Sequence, residues 1–232
     1  MKFLIVLLSA CSTLNAVPLN AQTYFVKKVL PHSIGVNGKG DAGAWSKANI
    51  LTDFTYPWDS IPAPATSFAA VWDGDWLYCV YHVKDDSVIT HVGNNTKMDI
   101  GASDRVEIFF KANDSMSTYY CLELDATARI FDYNAAYYRK MNYAWQWPEK
   151  QLIVKSSSTQ DGYIVEFAIS IKSLKSFGLL NNGRLQAGLF RAECKGPVKK
   201  IADEKWISWV KPRSPQPDFH IPSAFGVLVL EE

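Results

Sequence analysis

The run Ser103-Asp104-Arg105-Val106-Glu107-Ile108-Phe109-Phe110-Lys111 constrains this chain more than any other segment. It starts polar, alternates, and ends in β-branched and aromatic residues, as a strand buried over most of its length does. Side chains alternate faces along a strand. Asp104, Val106, Ile108 and Phe110 therefore share one face, and Arg105, Glu107, Phe109 and Lys111 the other. Glu107 is the anomaly, because a carboxylate between apolar neighbours needs a cation, hydrogen-bond donors or a metal once buried. Two readings fit it: an ion pair with Arg105 or an arginine of another strand, or an acid that faces a ligand.

Such a strand needs partners, and the chain supplies them. Alternating runs at residues 66–72 and 76–84 flank Asp73-Gly74-Asp75, a hairpin turn sequence. Further strand-like runs occupy residues 118–125, 128–134, 151–156, 162–169, 184–193, 205–210 and 225–230, and residues 171–177 are the one short helical candidate, closed by Gly178. Short strands at near-regular spacing with one helical turn predict an all-β fold, an antiparallel β-sandwich with one short helix, as a single domain over residues 22–232. Residues 53–65, with Pro57, Pro62 and Pro64, read as an extended surface loop, as does the approach to the last strand through Pro212, Pro215, Pro217 and Pro222. Residues 135–148 hold three tyrosines and two tryptophans in neither strand nor helix period, which reads as a structured cap over one end of the fold.

Residues 1–21 read as an export segment: Lys2, an apolar run, Pro18, and small Ala21 before Gln22 as the cleavage site. Secreted or periplasmic location is the expectation. Leu8-Ser9-Ala10-Cys11 offers a competing reading, a lipobox with a lipid anchor at Cys11. The apolar run falls well below the roughly 20 residues of a membrane span. Cys79, Cys121 and Cys194 sit in apolar strand contexts without zinc spacing, which suits small buried hydrophobes. A net charge of +1 with no basic block argues against nucleic acid or an anionic membrane surface as partner.

Catalysis finds little support in the sequence. There is no Gly-x-Ser-x-Gly, no His-Glu-x-x-His and no phosphate loop. Glycoside hydrolysis needs two carboxylates flanking one bond, and Asp104 and Glu107 point to opposite faces; Glu123, Asp132 and Glu166 are distant acids that folding can still bring together. A haem would want His or Met ligands at a sheet end, for which His82, Met98 and Met116 are a thin set. Asp85-Asp86 closes a strand with paired carboxylates that can offer oxygens to calcium.

The order of several pieces is similar to the family 9 carbohydrate-binding modules. They are the glycine-acid turn at residues 38–45 ending in Trp45, Val71-Trp72-Asp73 with Trp76-Leu77-Tyr78, Val83-Lys84-Asp85-Asp86, Asp104-Arg105-Val106-Glu107-Ile108-Phe109, Gly162-Tyr163-Ile164-Val165-Glu166, and Ser223-Ala224-Phe225-Gly226. The resemblance implies a β-sandwich that clamps a sugar chain end between two aromatic rings, with structural calcium nearby. On it, Glu107 matches a glutamate that contacts sugar hydroxyls, Arg129 an arginine on a following strand, and Phe219 stands near one clamp position. At the other clamp position the chain has Ile100-Gly101-Ala102, and Trp145 or Trp147 would have to replace the missing ring. The implied function is a non-catalytic exported protein that binds an oligosaccharide or polysaccharide, recognising sugar chain ends or plant-type fragments in carbohydrate catabolism. A glycoside hydrolase or its accessory subunit is the alternative, and a protein-interaction or haem-binding sandwich the next.

Overall fold

A computed structural model describes residues 22–196 and 204–232; the export segment and Cys11 lie outside the described residues. The strands are β1 (Thr23–Lys28), β2 (Ile50–Leu51), β3 (Thr66–Trp72), β4 (Trp76–Lys84), β5 (Arg105–Lys111), β6 (Tyr119–Asp125), β7 (Ile130–Ala136), β8 (Lys140–Asn142), β9 (Leu152–Thr159), β10 (Gly162–Ser170), β11 (Arg184–Cys194), β12 (Glu204–Ser208) and β13 (Gly226–Leu230), with one short helix, α1 (Ile171–Ser176). They follow the order β8-β7-β6-β5-β11-β13-β1-β3-β4-β10-β9, with β12 on β11 and β2 on β3.

The two layers of the sandwich meet at β1, which pairs parallel with β13 through residues 23–26 and parallel with β3 at residues 27–28. These are departures from an all-antiparallel arrangement. They arise because the neighbours of β1 come from distant segments, so no hairpin dictates its direction. Between the layers lies the main core, where Val106, Ile108 and Phe110 of β5 share one apolar cluster with Tyr81 of β4 and Phe167 of β10. The alternation expected of β5 is therefore realised, and Arg105, Glu107 and Phe109 face outward from that core. A second cluster, built on Phe109, Tyr133, Phe190 and Phe219, covers the outer face.

Several polar residues of the sequence are spent on local architecture. Asp73 accepts from the N–H groups of Asp75 (3.0 Å), Trp76 (2.9 Å) and His32 (3.1 Å) and from the Tyr78 hydroxyl (2.9 Å), which is turn chemistry. Glu166, fully buried on β10, accepts from Asn37 N (2.8 Å), Gly38 N (2.7 Å) and Trp45 Nε1 (3.0 Å). One carboxylate thus ties the glycine-rich turn and its tryptophan to the sheet. Gly38 is needed there: its φ is +85°, and a Cβ would sit 2.7 Å from the Ser156 backbone. Helix α1 is capped by the Ser170 hydroxyl, which accepts from Ser173 N at 3.0 Å.

Residues 135–148 resolve into a small hairpin, β7 to β8, followed by an irregular return, and this return defines the two tryptophans. Trp147 is buried in the main core, its indole N–H on Ser173 Oγ at 3.1 Å and its backbone N–H on Asp132 Oδ2 at 2.5 Å. Trp145 packs edge-on to Trp147 and against Tyr120 and Phe177. The cysteines Cys79, Cys121 and Cys194 are free and buried. Among the described residues no helix is long and apolar enough to cross a membrane.

Candidate binding cleft

Strand register assembles the outer face of the first layer row by row, since directly paired residues project to the same side. One row is Phe190 (β11), Glu107 (β5), Glu123 (β6) and Phe131 (β7). The row on one side carries Phe109 and Tyr133, and the row on the other carries Arg105 and, across Ala192, Trp206 of β12. Two carboxylates and a guanidinium therefore lie between aromatic residues on either side. The proline-rich loop ahead of β13 folds over the edge and brings Asp218, Phe219 and His220 to the same place, leaving a cleft of about 200 Å³.

The floor is charged and buried. Glu107 is only 2% exposed, and Arg105, Glu123 and Glu204 are also buried. Arg105 Nε donates to Glu123 Oε2 (2.7 Å) and lies 3.0 Å from Glu107 Oε1, while Nη1 reaches Glu204 Oε1 (3.1 Å) and the carbonyls of Gly101 and Ser103. Three carboxyl groups thus share one guanidinium. The N–H of Nε is aimed at Glu123, and Glu107 Oε1 is left buried with no hydrogen-bond partner. Burial, with the charge of Glu123 added, pushes the Glu107 carboxyl well above the usual carboxylate range despite Arg105. The second Glu123 oxygen accepts from the Tyr133 hydroxyl at 2.8 Å.

The walls are aromatic. Phe219 stacks on Phe190 with centroids 4.0 Å apart, and Trp206 meets it edge-on at 5.6 Å. Gly188 makes this stack fit, because a Cβ there would meet the Phe190 ring at 2.3 Å. Trp206 lies 5.3 Å from the Arg105 guanidinium, and its indole nitrogen has no hydrogen-bond partner. Opposite, Tyr143 leans on Phe131 and Tyr133 and is 42% exposed, so it stands at the mouth. The rim is tied by Arg139, whose Nη2 bonds Asp218 Oδ1 at 2.8 Å, and by the Tyr138 hydroxyl on Asp218 Oδ2 at 2.7 Å. Burial and Arg139 push the His220 imidazole down to about 4, so it is neutral at ordinary pH; its Nδ1 lies 3.1 Å from the Tyr119 hydroxyl.

Of the residues singled out in the sequence, the cleft gathers Glu107 and Phe219. Arg129 is bound instead to Asp125, with Nε 2.7 Å from Oδ2, and to the His91 carbonyl and Ser103 hydroxyl, outside the residues that line the cleft. Trp147 belongs to the main core, its ring buried, and the partly buried Trp145 packs against that core outside the residues that line the cleft. Glu107 pairs with Arg105 and also lines the cleft, so the two readings of it coincide. Sequence reading passed over Trp206 and Tyr143 and did not choose Glu123. The signal for Glu123 was available: Leu122-Glu123-Leu124 repeats the anomaly of Val106-Glu107-Ile108.

At the Asp85–Asp86 strand end an arginine is the partner of the first carboxylate. Asp85 Oδ2 holds Nη2 of the fully buried Arg191 at 2.8 Å, and Oδ1 accepts from Ser87 N. The guanidinium pairs with the carboxylate that was expected to face calcium, an ion that takes six to eight oxygens. Asp86 is exposed, and among the described residues no group of three or more His, Cys, Asp or Glu is arranged to hold a metal.

Comparison with known proteins agrees with the fold. Residues 36–232 match the family described as carbohydrate family 9 binding domain-like. A solved structure from Bacteroides uniformis, described as a candidate carbohydrate-binding protein, superposes with a TM-score of 0.70 at 19% identity, covering 91% of this chain and 100% of that one. A family 9 carbohydrate-binding module from Caldicellulosiruptor kristjanssonii in complex with glucose gives 0.59 at 16% identity, covering 90% and 96%. The same organism's module with cellotriose gives 0.60 at 16%, covering 90% and 94%. No curated protein matches the chain.

Proposed function

Since the chain belongs to the carbohydrate family 9 binding domain-like family, we propose that it is a non-catalytic carbohydrate-binding protein whose site is the cleft over Glu107 and Glu123. The observation that carries this reading is the composition of the cleft: aromatic walls around a buried charged floor with an unsatisfied carboxyl oxygen. A pyranose offers the complement of both, apolar C–H faces for Trp206, Tyr143 and the edge of Phe219, and hydroxyls for Glu107, Glu123 and the Arg139–Asp218 pair. Relatives solved with glucose and cellotriose support a glucose-type ring as first probe. Export belongs to the same proposal and rests on residues 1–21, and a part in polysaccharide use rests on the family.

Binding of a panel of immobilised glycans, followed by calorimetric titration with the best one, tests it. Hydrogen bonds involving charged groups are worth about 1.5–3 kcal/mol, so Glu107→Gln should weaken binding roughly ten- to a hundredfold. Thermal melts of the same samples separate a lost site from a lost fold. Binding by none of the glycans, or full affinity in Glu107→Gln, counts against the site.

A further inference from the structure

The charge balance of the cleft narrows the class of sugar, on the premise that the cleft is the carbohydrate site. Glu107, Glu123 and Glu204 surround a single guanidinium, and the other ion pair at the mouth, Arg139 with Asp218, neutralises itself. His220 adds no charge, being held neutral by burial and Arg139. Among the residues that line the cleft, three carboxyl groups (Glu107, Glu123, Asp218) therefore meet two guanidinium groups (Arg105, Arg139), an excess of one acid in an aromatic-walled space. Glu107 lines the cleft, and its Oε1 is buried without a hydrogen bond, 3.0 Å from the Arg105 Nε that donates to Glu123. A hydroxyl satisfies one such oxygen but leaves the charge excess in place. An ammonium group does both: it donates three hydrogen bonds, balances a carboxylate, and is attracted to aromatic faces such as those of Trp206 and Tyr143.

We propose that the cleft selects a sugar bearing a protonated amine, an amino sugar, with the ammonium seated between the Glu107 and Glu123 carboxyls and the aromatic walls. Uronic acids are the disfavoured counterpart, since their carboxylate meets the same excess of acid. Burial and the charge of Glu123 push the Glu107 carboxyl up, the direction expected of an acid short of cations.

Calorimetric titrations at about pH 6, where a free amine is protonated, compare four probes: a glucosamine disaccharide, its N-acetylated form, cellobiose, and a disaccharide ending in glucuronic acid. The amine-bearing disaccharide should bind about tenfold or more tighter than cellobiose, its N-acetylated form should lose that advantage, and the uronic acid should bind weakest. Cellobiose binding as tightly as the amine overturns the selectivity and leaves the carbohydrate reading standing, whereas no binding by any saccharide overturns both. Choline, titrated in parallel, separates a sugar site from a plain cation site: tight binding of choline with none of the sugars also overturns the proposal.

Discussion

Glu107 and Glu123 lie directly opposite one another on neighbouring strands and share one guanidinium, that of Arg105. Two buried carboxyls at a cross-strand pair repel unless something compensates them. Arg105 brings one positive charge to three carboxyls, counting Glu204, and Glu107 and Glu123 also line the cleft. The fold thus tolerates an unbalanced cluster at the place where a ligand would sit.

Replacing Arg105 tests how far the cluster depends on it. Arg105→Met leaves three buried glutamates without their cation, and removal of one partner of a buried ion pair costs about 3–5 kcal/mol. Urea midpoints at neutral pH should fall accordingly, and the deficit should shrink in acid as the glutamates take up protons. A variant as stable as the parent at neutral pH would mean that the glutamates are already neutral there.

Glu166 is the opposite kind of buried acid, with every contact internal. Glu166→Gln weakens three charge-assisted hydrogen bonds, to Asn37 N, Gly38 N and Trp45 Nε1, for a loss of about 2–4 kcal/mol in all. Because it lies on the other sheet layer, sugar affinity should stay within about twofold of the parent in the folded variant. Affinity lost at unchanged stability would place ligand recognition near the glycine-rich turn instead.

Two groups give pH dependences of opposite sign. Burial pushes the Asp104 carboxyl from 3.8 up to about 6, outweighing the backbone N–H bonds it receives. The folded state then holds the proton more tightly, so this contribution is present at low pH and is lost as pH rises between those values. His220 falls from 6.5 to about 4, so its contribution is present at neutral pH and is lost as pH falls through that interval. The deficit of Asp104→Asn should therefore shrink from pH 4 to 7 by on the order of 2 kcal/mol, and that of His220→Gln should shrink in the other direction. Urea titrations across the range read both; parallel curves for parent and variants contradict the assignments.

Chelation addresses the Asp85–Asp86 strand end. With Arg191 bound to Asp85, EDTA should leave the melting temperature unchanged, and added calcium should not raise it. A ligand present at a hundred times its dissociation constant stabilises by about 2.7 kcal/mol, so a rise of several degrees on adding calcium would show that a site exists despite the guanidinium.

What the sequence revealed was mostly periodic. The alternation of β5 assigned Val106, Ile108 and Phe110 to the core and exposed Glu107 as the residue to explain. The hairpin at Asp73-Gly74-Asp75 and the short helix before Gly178 were equally legible, because turn and cap chemistry is local. The cleft was not, since it is made by strand register and by a loop. Glu123 reaches it through pairing with Glu107, and Trp206 arrives on a strand that adds to β11. The placement of Trp145 and Trp147 was illegible for the same reason: nothing local says that residues 143–148 return to the core beside Phe177. Arg129 was readable in another way, as the partner of Asp125 four residues earlier.

Indole N–H resonances test the central claim most directly, because the tryptophans differ in where they stand. Trp206 lies at the cleft with a free indole N–H, Trp147 donates to Ser173 in the core, and Trp45 donates to Glu166 on the other layer. Titrating ¹⁵N-labelled protein with the best-binding oligosaccharide, after assigning the eight tryptophans by single substitutions, should move the Trp206 signal in a saturable way and leave those of Trp147 and Trp45 in place. A saturable shift of Trp147 or Trp45 with Trp206 unmoved would put the sugar elsewhere and contradict the account.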